Sequence, residues 1–176
     1  MQDETIDFRS VIISLVESKV RFVLIVGLAM IAQGAANTTL DVVFSYDRSI
    51  DNLASLVTVL KNCHAHLRDA PHNLPFLIDV QTFKNVINLT LTTDFGDLGL
   101  LAEPAGVDSF EGLWSRADEM QIFGMKVKVA CLEDILAMKR ASDRPKDRLH
   151  ILELQDLQQF LVGENMNEIA DTDNDK

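Results

Sequence analysis

Apolar residues return every three to four positions through Phe8, Val11, Ile12, Leu15 and Val16, which predicts an amphipathic helix over residues 8–19. The period then disappears. Arg21 to Val26 reads RFVLIV, an unbroken and β-branched run of the kind found in a central strand covered on both faces. Gly27 breaks the run, and Leu28 to Gly34 suits a short helix. Thr39 to Ser45 (TLDVVFS) predicts a second strand. Ser49 stands where it can cap a helix from about Ile50, with Leu53, Leu56, Val57 and Leu60 as its buried stripe.

Two prolines and no period mark Ala70 to Pro75 as a loop. Val86 to Leu91 and Leu98 to Leu101 predict strands around a turn at Asp94-Phe95-Gly96. Ser109 caps a helix through about Asp118, and Ile122-Phe123 and Val127 to Ala130 flank Gly124 as a hairpin. Leu132 to Ala141 is a helix, and Pro145 opens the last one, through about Leu161. Strands alternating with helices, plus a hairpin, give an α/β chain with a mixed sheet under helical cover.

The length, 176 residues, fits one domain with a core that needs no staples. We place that domain at residues 1–162. Residues 163–176 hold five acids against Lys176 and few apolar groups, so they read as an acidic flexible tail. Two cysteines, Cys63 and Cys131, are too few for a disulfide framework or a four-cysteine zinc site, and a cytoplasmic location is expected. The longest apolar run, Phe22 to Ala32, is short of the roughly 18–20 residues that span a bilayer. Its acidic lead (Asp3, Glu4, Asp7, Glu17) is unlike a secretion signal, so no membrane attachment is expected.

A net charge of −11 repels phosphate backbones and argues against an extended nucleic-acid surface. One basic cluster stands out in this acidic chain, Lys126 to Arg148, with seven cations against four acids. Cys63-His64-Ala65-His66 has metal-ligand residue types. On a helix, however, His64 and His66 diverge by about 200°, and Cys63 with His66 leaves a site unclosed.

The densest chemistry lies in Val23 to Ser49: a strand, a glycine, a short helix, a second glycine, and a strand carrying Asp41. Together with Gly96-Asp97-Leu98-Gly99 and CLEDILAMKRASDRPKD (Cys131 to Asp147), this segment resembles the nucleotidyltransferase superfamily. Within it, the likeness is to the small polymerase-β-like proteins that include abortive-infection toxins. It extends to about residue 155.

The resemblance implies a polymerase-β-like mixed sheet flanked by helices, with a C-terminal helical segment. It also implies an NTP ligand and Mg²⁺ held by three carboxylates, two of them in an Asp-x-Asp strand. The chemistry explains the pattern: two divalent ions bridge the attacking oxygen and the triphosphate, and hard oxygen ligands hold them. Residues i and i+2 of a strand share a face. A glycine at a helix start lets phosphate approach backbone N–H groups.

The chain departs from the family at the ligand positions. Asp41 keeps the first carboxylate, but Val43 and Gly99 stand at the other two; Val26 replaces the first glycine of a pair, and Asn37 stands where relatives often carry Arg. Asp97, two residues before Gly99, is the remaining candidate metal ligand beside Asp41. Gly27, Lys139 and Lys146 are the candidate nucleotide or phosphate contacts, Asp41 the candidate catalytic residue. The same residues also admit an architectural reading: a backbone glycine, a carboxylate left at an old cleft mouth, and a solvated basic helix face.

The expected function is therefore a nucleotidyltransferase-like protein with weak or no transfer activity and a residual nucleotide or phosphate pocket. Two alternatives stand beside it. One is an active enzyme moving NMP to a protein or nucleic-acid hydroxyl; the other is a non-catalytic protein partner in a toxin–antitoxin-like pair. Whether Asp41 and Asp97 converge separates them.

Overall fold

Among residues 7–71 and 76–173, which the computed structural model describes (side chains to 163), the chain runs α1 (Phe8–Glu17), β1 (Phe22–Leu24), α2 (Val26–Ala32), β2 (Asp41–Tyr46) and α3 (Ile50–Asn62). It continues through β3 (His66–Leu67), α4 (Val80–Asn85), β4 (Asn88–Thr93), β5 (Gly96–Leu101) and α5 (Phe110–Arg116). The hairpin β6 (Asp118–Ile122) and β7 (Met125–Val129) precedes α6 (Leu132–Ser142) and α7 (Pro145–Asp173). The strands form a single mixed sheet in the order β3-β4-β5-β2-β1-β7-β6.

The apolar run became the sheet's interior, as its composition requires. β1 is buried along its whole length, antiparallel to β2 on one side and parallel to β7 on the other. β2 is parallel to β5, so this pairing and that of β1 with β7 both join strands distant in sequence. α1 packs on α3 and β7, while α2 packs on β2 and α6, and α6 on α7. One face of β2 feeds an edge-to-face aromatic chain, Phe22–Phe44–Tyr46–Phe83, with centroids 5.6, 6.4 and 6.3 Å apart. The other face carries Asp41, Val43 and Ser45.

Local signals fix the helix starts. Asp7 caps α1 by accepting from the Ser10 N–H at 3.1 Å, and Ser109 caps α5 by accepting from the Gly112 N–H at 3.0 Å. Ser49 sits at the start of α3 without a side-chain cap; its own N–H instead donates to Asp47 Oδ1 at 2.6 Å. Two elements go beyond the sequence reading, β3 and α4, which have only two and six residues. The loop expected at 70–75 falls largely on residues 72–75, outside the described residues.

α7 extends to Asp173 rather than ending near Leu161. Gly163 does not stop it, and the Glu and Met that follow are good helix formers. Residues 174–176, the end of the expected tail, lie outside the described residues. No described helix is long and apolar enough to cross a membrane.

The β6–β7 turn is Phe123-Gly124, with φ of +53° and +83°. A two-residue turn with both residues left-handed suits Asn-Gly and penalises an aromatic side chain. Phe123 is 44% exposed. Phe123→Asn is therefore expected to stabilise the protein by about 0.5–1 kcal/mol, read as a higher urea midpoint at unchanged slope.

Candidate functional site

β1 ends at Leu24 and the chain turns through Ile25 directly into α2. Val26, standing where the resemblance places the first glycine of a pair, has φ of +48°. That is a conformation β-branched residues rarely adopt, so the backbone keeps a glycine's shape without the glycine. Gly27 has no such option. A Cβ there would lie 2.4 Å from Thr39 Oγ1 and 2.9 Å from Thr39 Cβ. Thr39 Oγ1 is in turn 3.0 Å from both the backbone oxygen and Oδ1 of Asp41, sharing one proton between them. Gly27, Thr39 and Asp41 thus form one corner at the start of β2.

Across the parallel β2–β5 ladder, Asp41 is the register partner of Asp97, and Val43 that of Gly99. The two pairs share one sheet face, since residues i and i+2 point the same way. Asp97 therefore stands beside Asp41. Its carboxylate is already engaged, accepting from Thr92 Oγ1 at 2.8 Å and pairing with Arg68 Nε at 3.3 Å. One step along the strands, a Cβ at Gly99 would lie 3.1 Å from both Val43 methyls. Val43 thus packs directly against Gly99, at the two positions where the resemblance implies further carboxylates.

No protein-family model matches the sequence, and no curated protein sequence does. Solved structures do. The lincosamide antibiotic adenylyltransferase LnuA, in its lincomycin-bound crystal structure, superposes with a TM-score of 0.58 at 15% identity, covering 89% of this chain and 98% of LnuA. The antibiotic-resistance factor ANT(2'')-Ia, in solution, gives 0.51 at 11% identity over 93% of this chain and 91% of its own. The fold is that of the nucleotidyltransferases.

On this nucleotidyltransferase fold the remaining candidate residues fall into separate places. Lys139, on the inward stripe of α6 with Leu132, Ile135 and Leu136, is 4% exposed. Its Nζ donates to Asp147 Oδ1 at 2.8 Å, and Asp147 is fully buried. Burial alone would push the Asp147 carboxyl up; hydrogen bonds from Lys139, Ser142 and Arg144 outweigh it and hold the group well below the usual carboxylate range. Lys139 therefore closes the α6–α7 corner as one half of an ion pair. Lys146 is exposed in the first turn of α7. The structure brings Gly27, Asp41 and Asp97 together; it gives Lys139 a buried partner and leaves Lys146 on the surface.

The Cys-His-Ala-His stretch comes apart at the end of α3. Cys63 is buried, its thiol pushed up to about 11 chiefly by that burial, while His64 Nδ1 lies 2.6 Å from Asp94. Among the described residues no three His, Cys, Asp or Glu side chains are grouped to hold a metal ion. A cleft of about 650 Å³ lies at the other end of the sheet, between Asp47–Ser49 and Ala102–Glu111. Behind it Arg21 pairs with Asp47 and Glu111 and stacks on Trp114, 4.8 Å from the ring centre.

Sequence reasoning missed Thr39, Thr92 and Arg68. Thr39 carried a signal, since it shares strand parity with Asp41 just ahead of the strand. Arg68 and Thr92 carried none, because only the pairing of β3, β4 and β5 brings them to Asp97.

Proposed function

We propose that this is a nucleotidyltransferase-fold protein with little or no transfer activity, whose Gly27–Asp41 corner persists as a weak nucleotide or phosphate pocket. The Val43–Gly99 pair carries this reading. Two-ion chemistry needs hard oxygen ligands around both ions, and here an isopropyl group packs onto a glycine. The donor set does not fit two Mg²⁺ ions: Asp41 and Asp97 stand side by side, and Asp97 is neutralised by Arg68. Lys139, the cation expected to meet a triphosphate, is turned inward onto Asp147.

An active adenylyltransferase is the second reading, favoured by the Asp41–Asp97 register. LnuA, a lincosamide antibiotic adenylyltransferase by name, suggests a small-molecule hydroxyl as the acceptor for that reading, beside the protein or nucleic-acid hydroxyl first expected. A role as the protein partner in a toxin–antitoxin-like pair belongs to the non-catalytic reading.

Thermal unfolding with each NTP, with and without Mg²⁺ or Mn²⁺, tests the choice. A ligand at about 100 times its Kd adds roughly 2.7 kcal/mol, a rise of a few degrees at this size. The expected result is at most a small, metal-independent shift. A metal-dependent shift abolished by Asp41→Ala favours the active enzyme and overturns the proposal.

A further inference from the structure

Four strands lay one polar row across the sheet. His66 of β3 is the register partner of Thr92 of β4, Thr92 that of Asp97 of β5, and Asp97 that of Asp41 of β2. Register partners point to one face, so the row lies on the face that carries Val43 and Gly99. Oxygen donors line it. Thr92 Oγ1 is 2.8 Å from Asp97 Oδ1, and Thr39 Oγ1 is 3.0 Å from Asp41 Oδ1. Two carboxylates and two hydroxyls are too few for two ions, but they are the hard ligands that one Mg²⁺ or Mn²⁺ takes together with water.

A cation of the chain's own already stands there. Arg68, two residues after His66, belongs to the next row, and its N–H donates to the Thr90 carbonyl at 3.0 Å. Thr90 is the register partner of Gly99, which has no side chain, and from this sheet edge the arginine reaches over β4 to β5. Its Nε lies 3.3 Å from Asp97 Oδ2 and 3.5 Å from Asp69 Oδ2. Asp69 is 90% exposed and Asp97 28%, so water and salt screen the first contact far more than the second. Among the described residues no other cation pairs with Asp41 or Asp97.

We propose that Arg68 is the resident cation of this row: its guanidinium neutralises Asp97 in place of a divalent ion and keeps such an ion from binding across Asp41 and Asp97. The proposal rests on the reading of the pocket as inactive, and names the side chain that holds metal out of it.

Titration of the full chain with Mn²⁺ and no nucleotide tests it, read by loss of the free-ion paramagnetic resonance signal. The wild type is expected to bind with a Kd of about 10 mM or weaker, and Arg68→Met, which keeps the stem and removes the charge, about tenfold more tightly at one ion per chain. Arg68→Gln should match Arg68→Met, and Arg68→Lys, still a cation, should match the wild type. Adding Asp97→Asn to Arg68→Met should abolish the gain. Equal Mn²⁺ binding by the wild type and both neutral variants, a gain shared by Arg68→Lys, or a gain that survives Asp97→Asn overturns the proposal. The inactive reading fails on a different result, the metal-dependent NTP shift abolished by Asp41→Ala.

Discussion

Replacing Asp147 by alanine is expected to destabilise the protein by about 3–5 kcal/mol, because it strands a buried ammonium without its partner. Lys139 is 4% exposed and donates to Asp147 at 2.8 Å, and Ser142 and Arg144 direct further donors at the same carboxylate. Lys139→Met with Asp147→Leu removes both charges and is expected to cost far less than either single change to alanine. Urea denaturation of the set separates a pair that anchors the corner from one that merely decorates it. The pH dependence has a fixed sign. Since the folded carboxyl titrates below the unfolded one, its contribution is present above about pH 4 and is lost as pH falls further. Asp147→Asn should flatten the acid limb of the stability profile.

Val43→Asp and Gly99→Asp are expected to be strongly coupled. Alone, Val43→Asp places a carboxylate at a position 8% exposed, in line with Asp41, at about 2–3 kcal/mol. Alone, Gly99→Asp drives a Cβ into the two Val43 methyls, an overpacking of about 1–3 kcal/mol. Together, the first change removes the methyls that the second collides with, so the double variant should be more stable than the sum predicts. It should also gain a response to divalent metal. Millimolar Mn²⁺ is expected to raise its unfolding midpoint by several degrees while leaving the wild type unmoved. An equal rise in both proteins means Asp41 and Asp97 already hold an ion.

Much of the fold was legible because its signals are local. RFVLIV reads as a buried strand wherever it sits, Ser109 caps with its own hydroxyl, and Pro145 has only one comfortable place at a helix start. β3 and α4 escaped because two and six residues are too few to show a period. Asp79 was the missed clue to α4, since it caps that helix through the Thr82 N–H at 2.7 Å.

The residues of the candidate site can be named from the sequence, but their pairing cannot. Asp41 and Asp97 were both named, but which residue of β5 stands opposite Asp41 depends on a parallel register set by distant strands. Lys139 invited the opposite error. Its spacing from Leu132, Ile135 and Leu136 places it on the inward stripe, and a lysine there needs a buried partner more than a ligand.

The interior position of β1, between β2 and β7, also bears on the order of assembly. The β4–β5 and β6–β7 hairpins join residues close in sequence and can form early. The ladder of β1 with β7 joins Val23 to Lys128, more than a hundred residues apart. Closing so long a loop precedes any contact that rewards it, which places this ladder late in folding. Until it closes, the C-terminal hairpin and the helices behind it have no sheet to dock on. A chain emerging from synthesis can complete this core only after Val129 has been made, since β7 is the partner β1 needs on that side.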